Sequence, residues 1–183
     1  MNKTIKKVWD IVTWILVLAV AALAVLLVGV RVVGLTPYAV LSGSMEPTYH
    51  VGSLIYVKHV EPQEVKVGDP ITFVLNKELA VATHRVIAID SENQLFHTKG
   101  DANETPDAGG VYFPNLIGKP IFTIPYLGFF SHWITTPPGM YIGIAGGVIL
   151  VILVFLPGML EKADAADKKK ETEDGSREHQ TEP

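Results

Sequence analysis

Residues 67–103, VGDPITFVLNKELAVATHRVIAIDSENQLFHTKGDAN, alternate short runs of β-branched and aromatic residues with turn-forming residues. Runs of this kind, bounded by Gly, Pro, Asn and Asp, indicate β-strands. Together with one similar run upstream, the predicted strands are Leu54–Val57, Ile71–Val74, His84–Ile89 and Leu95–Thr98. No helical periodicity crosses this region, so the middle of the chain is predicted to form a small, mostly β domain.

An apolar run precedes the predicted β domain. Residues 11–33 are almost entirely apolar, and as a helix they would extend about 34 Å, enough to cross the hydrocarbon core of a membrane. The three lysines before the run (Lys3, Lys6 and Lys7) would also suit a cleavable signal sequence. The apolar core of a signal sequence is usually only about 7–15 residues long. We therefore predict an uncleaved transmembrane helix at 11–33.

A second apolar segment lies near the other end of the chain. It runs from Gly139 to Leu156 and is followed by Pro157 and Gly158, so we assign a second transmembrane helix to 139–157. Because its length is near the lower limit for a span, a re-entrant or interfacial helix is the alternative.

Lysines flank both apolar segments, and their positions predict the topology. Lys3, Lys6 and Lys7 precede the first segment, and Lys162 and Lys168 follow the second. Since positively charged loops stay on the cytoplasmic side, we expect a multi-pass protein of the cell membrane with both termini in the cytoplasm. The predicted organisation is a cytoplasmic N-terminus (1–10), a span (11–33), an extracytoplasmic domain (34–138), a span (139–157) and a cytoplasmic tail (158–183). The tail is rich in Lys, Glu and Asp and is predicted to be disordered.

Composition excludes several classes of function. A chain of 183 residues has room for one modest domain, and its net charge of −4 gives no support for nucleic-acid binding. The chain has no cysteine, which excludes disulfides, thiolate chemistry and cysteine-based zinc sites. No pair of histidines has the helical spacing of metal ligands beside a carboxylate, so no metal site is predicted.

The candidate chemistry begins at Ser42–Thr48, with the sequence SGSMEPT. Alone, this segment is as consistent with a turn as with a site, because Ser and Gly are common in turns for backbone reasons. Its interpretation changes with the segments that follow it in order, VGDPITF at 67–73, HRVI at 84–87 and TKGDAN at 98–103.

These four segments, in this order and behind an N-terminal anchor, resemble type I signal peptidases. The resemblance is closest to the endoplasmic-reticulum-type branch, which also occurs in archaea and some Gram-positive bacteria. It covers about residues 38–107, with a weaker match at 124–128. It implies a small signal-peptidase-like β catalytic domain, anchored by the N-terminal helix, that acts as a serine endopeptidase without a metal or organic cofactor. The implied partners are signal-peptide-bearing preproteins and membrane lipid, together with partner subunits or export machinery.

The resemblance also implies roles for particular residues. Ser44 matches the nucleophile, and His84 matches the position of the general base, which is a lysine in the common bacterial branch. Asp101 and Asp107 match two acidic positions of the site, and the hydroxyl of Ser42 matches a group associated with the oxyanion hole.

The sequence leaves open which aspartate orients His84. The branch often has an acidic residue and then an arginine around the second aspartate, whereas Pro106 and Ala108 flank Asp107 here. Asp101 follows a glycine, where a carboxylate can instead cap a turn. We favour Asp107 as the histidine's partner and expect Asp101 to be needed structurally.

The chemistry of these residue types supports the same assignment. A serine hydroxyl is a poor nucleophile until a neighbouring base accepts its proton, and imidazole can do so near neutral pH without strong desolvation. An aspartate on the far ring nitrogen would fix the tautomer and stabilise the imidazolium. The main-chain N–H of Ser44 and the hydroxyl of Ser42 would be donors to the oxyanion.

Alternatives remain at this stage. Four other histidines are competing bases that lie outside the matching segments: His50, His59, His97 and His132. Arg85 and Lys99 are expected to form surface ion pairs only. A rival from another class is a non-catalytic membrane scaffold or accessory subunit with the same fold. A second rival is a self-cleaving protease of related fold, but such proteases use a lysine base and generally lack two spans.

Overall fold

The computed structural model describes residues 3–75 and 80–178. The chain divides into two compact units. One unit contains the residues up to Val20 and those from Tyr141 onward, and the other runs from Ala21 to Met140.

Three α-helices are present in the described residues: α1 (Lys3–Leu27), α2 (Leu127–Thr135) and α3 (Gly139–Glu178). The first predicted span, 11–33, is α-helical only as far as Leu27, and its last five residues, Gly29–Val33, form a 3₁₀-helix. Thr4–Leu27 and Gly139–Leu156 are long and apolar enough to cross a membrane, judged by length and composition.

Helix α3 is longer than the sequence indicated. We expected it to end at Pro157 and the segment 158–183 to be disordered, but the helix continues to Glu178, and 179–183 lie outside the described residues. The segment after the proline is rich in Ala, Lys and Glu, which are strong helix formers. Their propensity favours the helix although the proline removes one backbone hydrogen bond.

In the described part of the chain, seven strands form one antiparallel sheet in the order β1-β2-β7-β3-β4-β5-β6. They are β1 (Leu35–Ala39), β2 (Leu54–Lys58), β3 (Pro70–Val74), β4 (Val81–Asp90), β5 (Leu95–Lys99), β6 (Val111–Tyr112) and β7 (Leu116–Ile124). All four predicted strands are present, so the mostly β class is confirmed. The sequence did not predict β1, β6, β7 or α2.

Two apolar clusters hold the sheet together. One is built on β3, β4 and β5 and includes Ile71, Phe73, Val86 and Phe96. The other joins β2 to the loop before it and contains Met45, Tyr49, Ile55 and Val57. This packing anchors the loop between β1 and β2 on strand β2.

The sheet is a curled half-barrel. Register shifts occur between β2 and β7, between β3 and β7 and between β4 and β5, and such bulges bend strands and increase their twist. As a result, the end of β1 and the start of β4 line the same cleft, although three strands separate them in the sheet. The candidate site lies in this cleft.

Candidate active site

Ser44 lies in the loop between β1 and β2, and its neighbours fix it there. Met45 and Tyr49 are buried in the second apolar cluster, and the main-chain N–H of Tyr49 donates to the carbonyl of Met45 at 2.9 Å. The carbonyl of Ser44 accepts a hydrogen bond from the N–H of Ala102 at 3.0 Å. Ser44 is therefore held from both sides, and its side chain lines the cleft.

His84 is presented to Ser44 by strand β4. It is paired in register with Ile71 of β3. Its ring lies edge-on to that of Phe73, with the two ring centroids 6.2 Å apart. His84 Nε2 lies 3.1 Å from Ser44 Oγ. Because the side chain is only 15% exposed, the ring has a restricted set of orientations.

Asp107 contacts the other nitrogen of the same ring. His84 Nδ1 and Asp107 Oδ2 are 2.6 Å apart, and the Thr98 hydroxyl also donates to Asp107 Oδ2, at 2.7 Å. The N–H of Asp107 donates to the carbonyl of Thr98 at 2.9 Å, so strand β5 fixes the loop that carries the carboxylate. Sequence reasoning did not identify Thr98, although it begins the TKGDAN segment.

Asp101 has a different partner. The guanidinium of Arg85 binds it through two hydrogen bonds, Nε to Oδ1 at 2.7 Å and Nη2 to Oδ2 at 2.6 Å. The Thr48 hydroxyl also donates to Asp101, and Arg85 Nη1 donates to the carbonyl of Gly68 at 2.8 Å. Hydrogen bonding from Arg85 lowers the pKa of Asp101. Within the described residues, no hydrogen bond joins Asp101 to His84.

The Arg85–Asp101 pair therefore joins three segments near the site. Arg85 follows His84 on β4, Asp101 lies in the turn after β5, and Thr48 lies in the loop of Ser44. The sequence indicated only a surface ion pair for Arg85, but the Asp101 side chain is 15% exposed. The pair fixes the segments on which Ser44 and His84 depend.

Gly100 allows the turn after β5 to approach Ser44. A Cβ atom at this position would lie 2.5 Å from the carbonyl oxygen of Ser44, which is closer than any side chain can be accommodated there. This steric constraint explains why the KGD sequence has a glycine at position 100.

Ser42 lies beside the candidate nucleophile. Its Oγ is 3.4 Å from Ser44 Oγ, and both side chains line the cleft. A second hydroxyl at this distance is placed to donate a hydrogen bond near the atom that Ser44 would attack.

The cleft has a volume of about 610 Å³. Val40 and Leu41, which directly follow β1, lie on its lining, as do Val81 and Ala82 at the start of β4. Buried Met45 also contributes to it. A mostly apolar cleft with a serine, a histidine and a carboxylate behind the histidine has the arrangement needed for acyl transfer.

Comparison with known proteins assigns the family. The sequence profile of the family described as signal peptidase, peptidase S26, matches residues 11–94. The signal peptidase complex catalytic subunit SEC11 of Plasmodium falciparum is 30% identical over 126 residues, which cover 63% of this chain and 67% of that protein. The chain belongs to the signal peptidase family.

Two other members of the signal peptidase family show how much of the chain is shared. Signal peptidase I W of Bacillus subtilis (strain 168) is 40% identical over 105 residues, which cover 56% of this chain and 55% of that protein. The signal peptidase complex catalytic subunit SEC11C of Homo sapiens is 31% identical over 99 residues, which cover 49% and 52%. The chain thus spans about half the length of these two relatives.

The signal peptidase profile covers only part of the site. Ser44 and His84 lie inside residues 11–94, whereas Asp101 and Asp107 follow the end of the match. The geometry of the turn and loop after β5 determines where the two aspartates lie relative to His84.

The other candidate histidines do not join the site. His50 pairs with Glu46 at 2.5 Å, and His59 contacts the carbonyl of Ile117 at 3.1 Å. His97 is exposed on β5, and His132 is exposed in α2. Among the side chains that the structure describes, no group of three or more His, Asp or Glu is arranged to hold a metal ion.

Proposed function

We propose that this protein is a type I signal peptidase, a membrane-bound serine endopeptidase that removes N-terminal signal peptides from exported preproteins. The observation that carries the proposal is the hydrogen-bonded series Ser44–His84–Asp107 at a cleft in a member of the signal peptidase family. A scaffold or accessory subunit would have no use for this series.

The geometry supports a two-step acyl transfer. Ser44 Oγ attacks the scissile carbonyl carbon while His84 Nε2, 3.1 Å away, accepts the hydroxyl proton. His84 then donates that proton to the leaving amine, and the C–N bond breaks to leave an ester on Ser44. A water molecule, deprotonated by His84, hydrolyses the ester and restores the enzyme.

Asp107 supports the proton transfers through the ring. Its carboxylate, 2.6 Å from Nδ1, keeps the proton on that nitrogen and leaves Nε2 free to accept one. It also stabilises the imidazolium that forms after the transfer. The hydroxyl of Thr98 donates a hydrogen bond to the same carboxylate oxygen. This bond fixes the direction from which the carboxylate approaches the ring.

The negative charge of the tetrahedral intermediate needs donors. We assign this role to the main-chain N–H of Ser44 and the hydroxyl of Ser42, whose Oγ is 3.4 Å from Ser44 Oγ. Losing one such donor typically lowers the rate about 10²–10³-fold.

The cleft suits an extended substrate with small side chains near the cut. Strand β1 is at the edge of the sheet and pairs only with β2 among the described strands, so a peptide can add to it through main-chain hydrogen bonds. Shallow apolar walls would exclude large side chains. The family preference for small residues at the first and third positions before the cut fits this shape.

We further propose that the site faces the outside of the membrane. The lysines that flank the two apolar helices favour cytoplasmic termini, which puts the sheet on the extracytoplasmic side. The enzyme then meets membrane-inserted preproteins by lateral diffusion, beside partner subunits or export machinery.

A cleavage assay tests the proposal. The full chain, reconstituted in lipid vesicles, should cut a membrane-inserted preprotein at the end of its signal peptide, as shown by the mass of the product. Ser44→Ala should abolish the cut, whereas Ser91→Ala, at an exposed turn, should not. A folded wild-type protein without cleavage, or equal cleavage by Ser44→Ala, would refute it and favour the scaffold.

A further inference from the structure

Asn103 is a polar residue of the cleft that takes no part in the proposed acyl-transfer steps. It lies in the turn after β5 and lines the cleft together with Ser44 and His84. Its main-chain N–H donates to the carbonyl of Gly100 at 3.0 Å, which fixes the backbone from which the side chain projects.

The carboxamide of Asn103 lies near the main chain of Ser44. A Cβ atom built on Gly100 would lie 2.7 Å from Asn103 Nδ2 and 2.5 Å from the carbonyl oxygen of Ser44. The carboxamide and the Ser44 carbonyl therefore pack against the same side of Gly100. Its position in the cleft beside Ser44 is set by a turn that accommodates only glycine at position 100.

This carboxamide has no hydrogen-bond partner among the described residues. The two aspartates of the same turn and loop are paired, since Asp107 binds His84 and Thr98, and Asp101 binds Arg85. The turn is already held by main-chain hydrogen bonds and by the Arg85–Asp101 pair. The fold of this turn therefore does not require the Asn103 side chain to bind another group of the protein.

We infer that Asn103 is a substrate-binding residue that hydrogen-bonds the main chain of the substrate beside the scissile bond. A primary carboxamide offers two donors and an acceptor, which match the C=O and N–H of one peptide group. An extended substrate in the cleft presents such groups whatever its sequence, and preproteins differ widely in sequence. The inference rests on the proposed function and adds a residue that sets the register of the substrate.

The effect should be visible in substrate binding more than in chemistry. One or two hydrogen bonds to the main chain correspond to a loss of about 3- to 100-fold in kcat/KM. Because the contact is made in both the ground state and the transition state, Asn103→Ala should raise KM and leave kcat almost unchanged. A donor to the oxyanion would instead lower kcat.

A double-mutant cycle between protein and substrate tests the contact directly. The substrate is a vesicle-inserted synthetic signal peptide with alanine at the first and third positions before the cut. Single ester bonds replace the peptide bonds next to the scissile amide, one at a time. With the wild-type full chain, one of these esters should lower kcat/KM several-fold, and with Asn103→Ala the same ester should have no further effect.

Asn115→Ala is the matched control, because Asn115 is a partly exposed asparagine that is not part of the cleft lining. It should show the wild-type response to every ester. Additive losses in kcat/KM at all ester positions, or a fall in kcat at constant KM, would overturn the inference. If the alanine variant does not fold, Asn103→Ser is used in the same cycle. If the wild-type chain does not cut the all-amide substrate, the proposed function itself fails.

Discussion

His84 Nδ1 and Asp107 Oδ2 lie 2.6 Å apart, although the two residues are separated by β5 and the turn that follows it. The hydroxyl of Thr98 donates to the same carboxylate oxygen. Asp101 instead binds Arg85 through both of its oxygens. The two aspartates that the sequence could not separate therefore have different partners, and substitutions at them should have different effects.

The first prediction concerns Asp107. Asp107→Asn removes the carboxylate that holds the proton on Nδ1, so the ring can adopt the tautomer that cannot accept a proton from Ser44. Cleavage should fall by as much as about 10⁴-fold, while the melting temperature changes little. Asp90→Asn, at the end of β4 where the carboxylate binds Asn93 of the following turn, should retain activity. An Asp107→Asn enzyme with near wild-type rates would assign the orientation of His84 to another group.

The second prediction concerns Asp101 and pH. Asp101→Asn should lower stability by about 1.5–3 kcal/mol, the range for a hydrogen bond to a charged group, and activity should fall with it. Because Arg85 lowers the pKa of Asp101 from 3.8, the ionised pair stabilises the fold above that pH. Its contribution is lost as the pH falls through the lowered value in the folded protein.

Thermal unfolding of the full chain in detergent at several pH values measures this effect. The difference in melting temperature between wild type and Asp101→Asn should be largest near neutral pH. It should shrink as the pH falls below 3.8. A stable but inactive Asp101→Asn protein, together with an active Asp107→Asn protein, would reverse the two assignments.

The third prediction concerns the contact between Gly100 and Ser44. Gly100→Ala would put a Cβ atom 2.5 Å from the Ser44 carbonyl and displace either the turn or the nucleophile. Since small displacements of reacting groups can cost about 10²-fold, we expect a loss of that order in kcat/KM. Gly43→Ala, whose Cβ would have its nearest contact at 3.6 Å, is the control and should lose much less. Equal effects would show that the tight approach is unimportant.

The fourth prediction concerns topology. A reporter fused after Lys168 should be cytoplasmic, and one inserted beside Glu92, in an exposed turn, should be external. Accessibility to an impermeant labelling reagent in intact cells measures both. A tail reporter on the outside would mean that the segment at 139–157 does not span the membrane.

Local patterns were enough to predict four strands, whereas the resemblance to type I signal peptidases identified the segments that hold Ser44 and His84. Strand β1 was missed because LTPYA contains a proline and few β-branched residues. Pro37 is tolerated there because β1 is an edge strand. In β7, Pro120 lies where the register with β2 shifts, so the pattern of a regular strand is interrupted.

The choice between Asp101 and Asp107 could only be a preference before the fold was known. Both follow β4 at distances that a strand and a turn can span, and the path of the chain after β5 decides which one meets the ring. Arg85 was assigned no structural importance for the same reason. Its two bonds to Asp101 depend on the pairing of Arg85 with Lys99 in the register of β4 and β5, which sequence spacing does not fix.

The most direct test of the account is to identify the residue that reacts with a serine-directed electrophile. A peptidyl phosphonate with alanine at the reactive position, incubated with the full chain in vesicles, should add one phosphonyl group to Ser44, located by mass spectrometry. The same treatment of His84→Ala should give a labelling rate lower by several orders of magnitude, because no base removes the proton of Ser44. Labelling of a different residue, or an unchanged rate in His84→Ala, would contradict the assignment of Ser44 and His84.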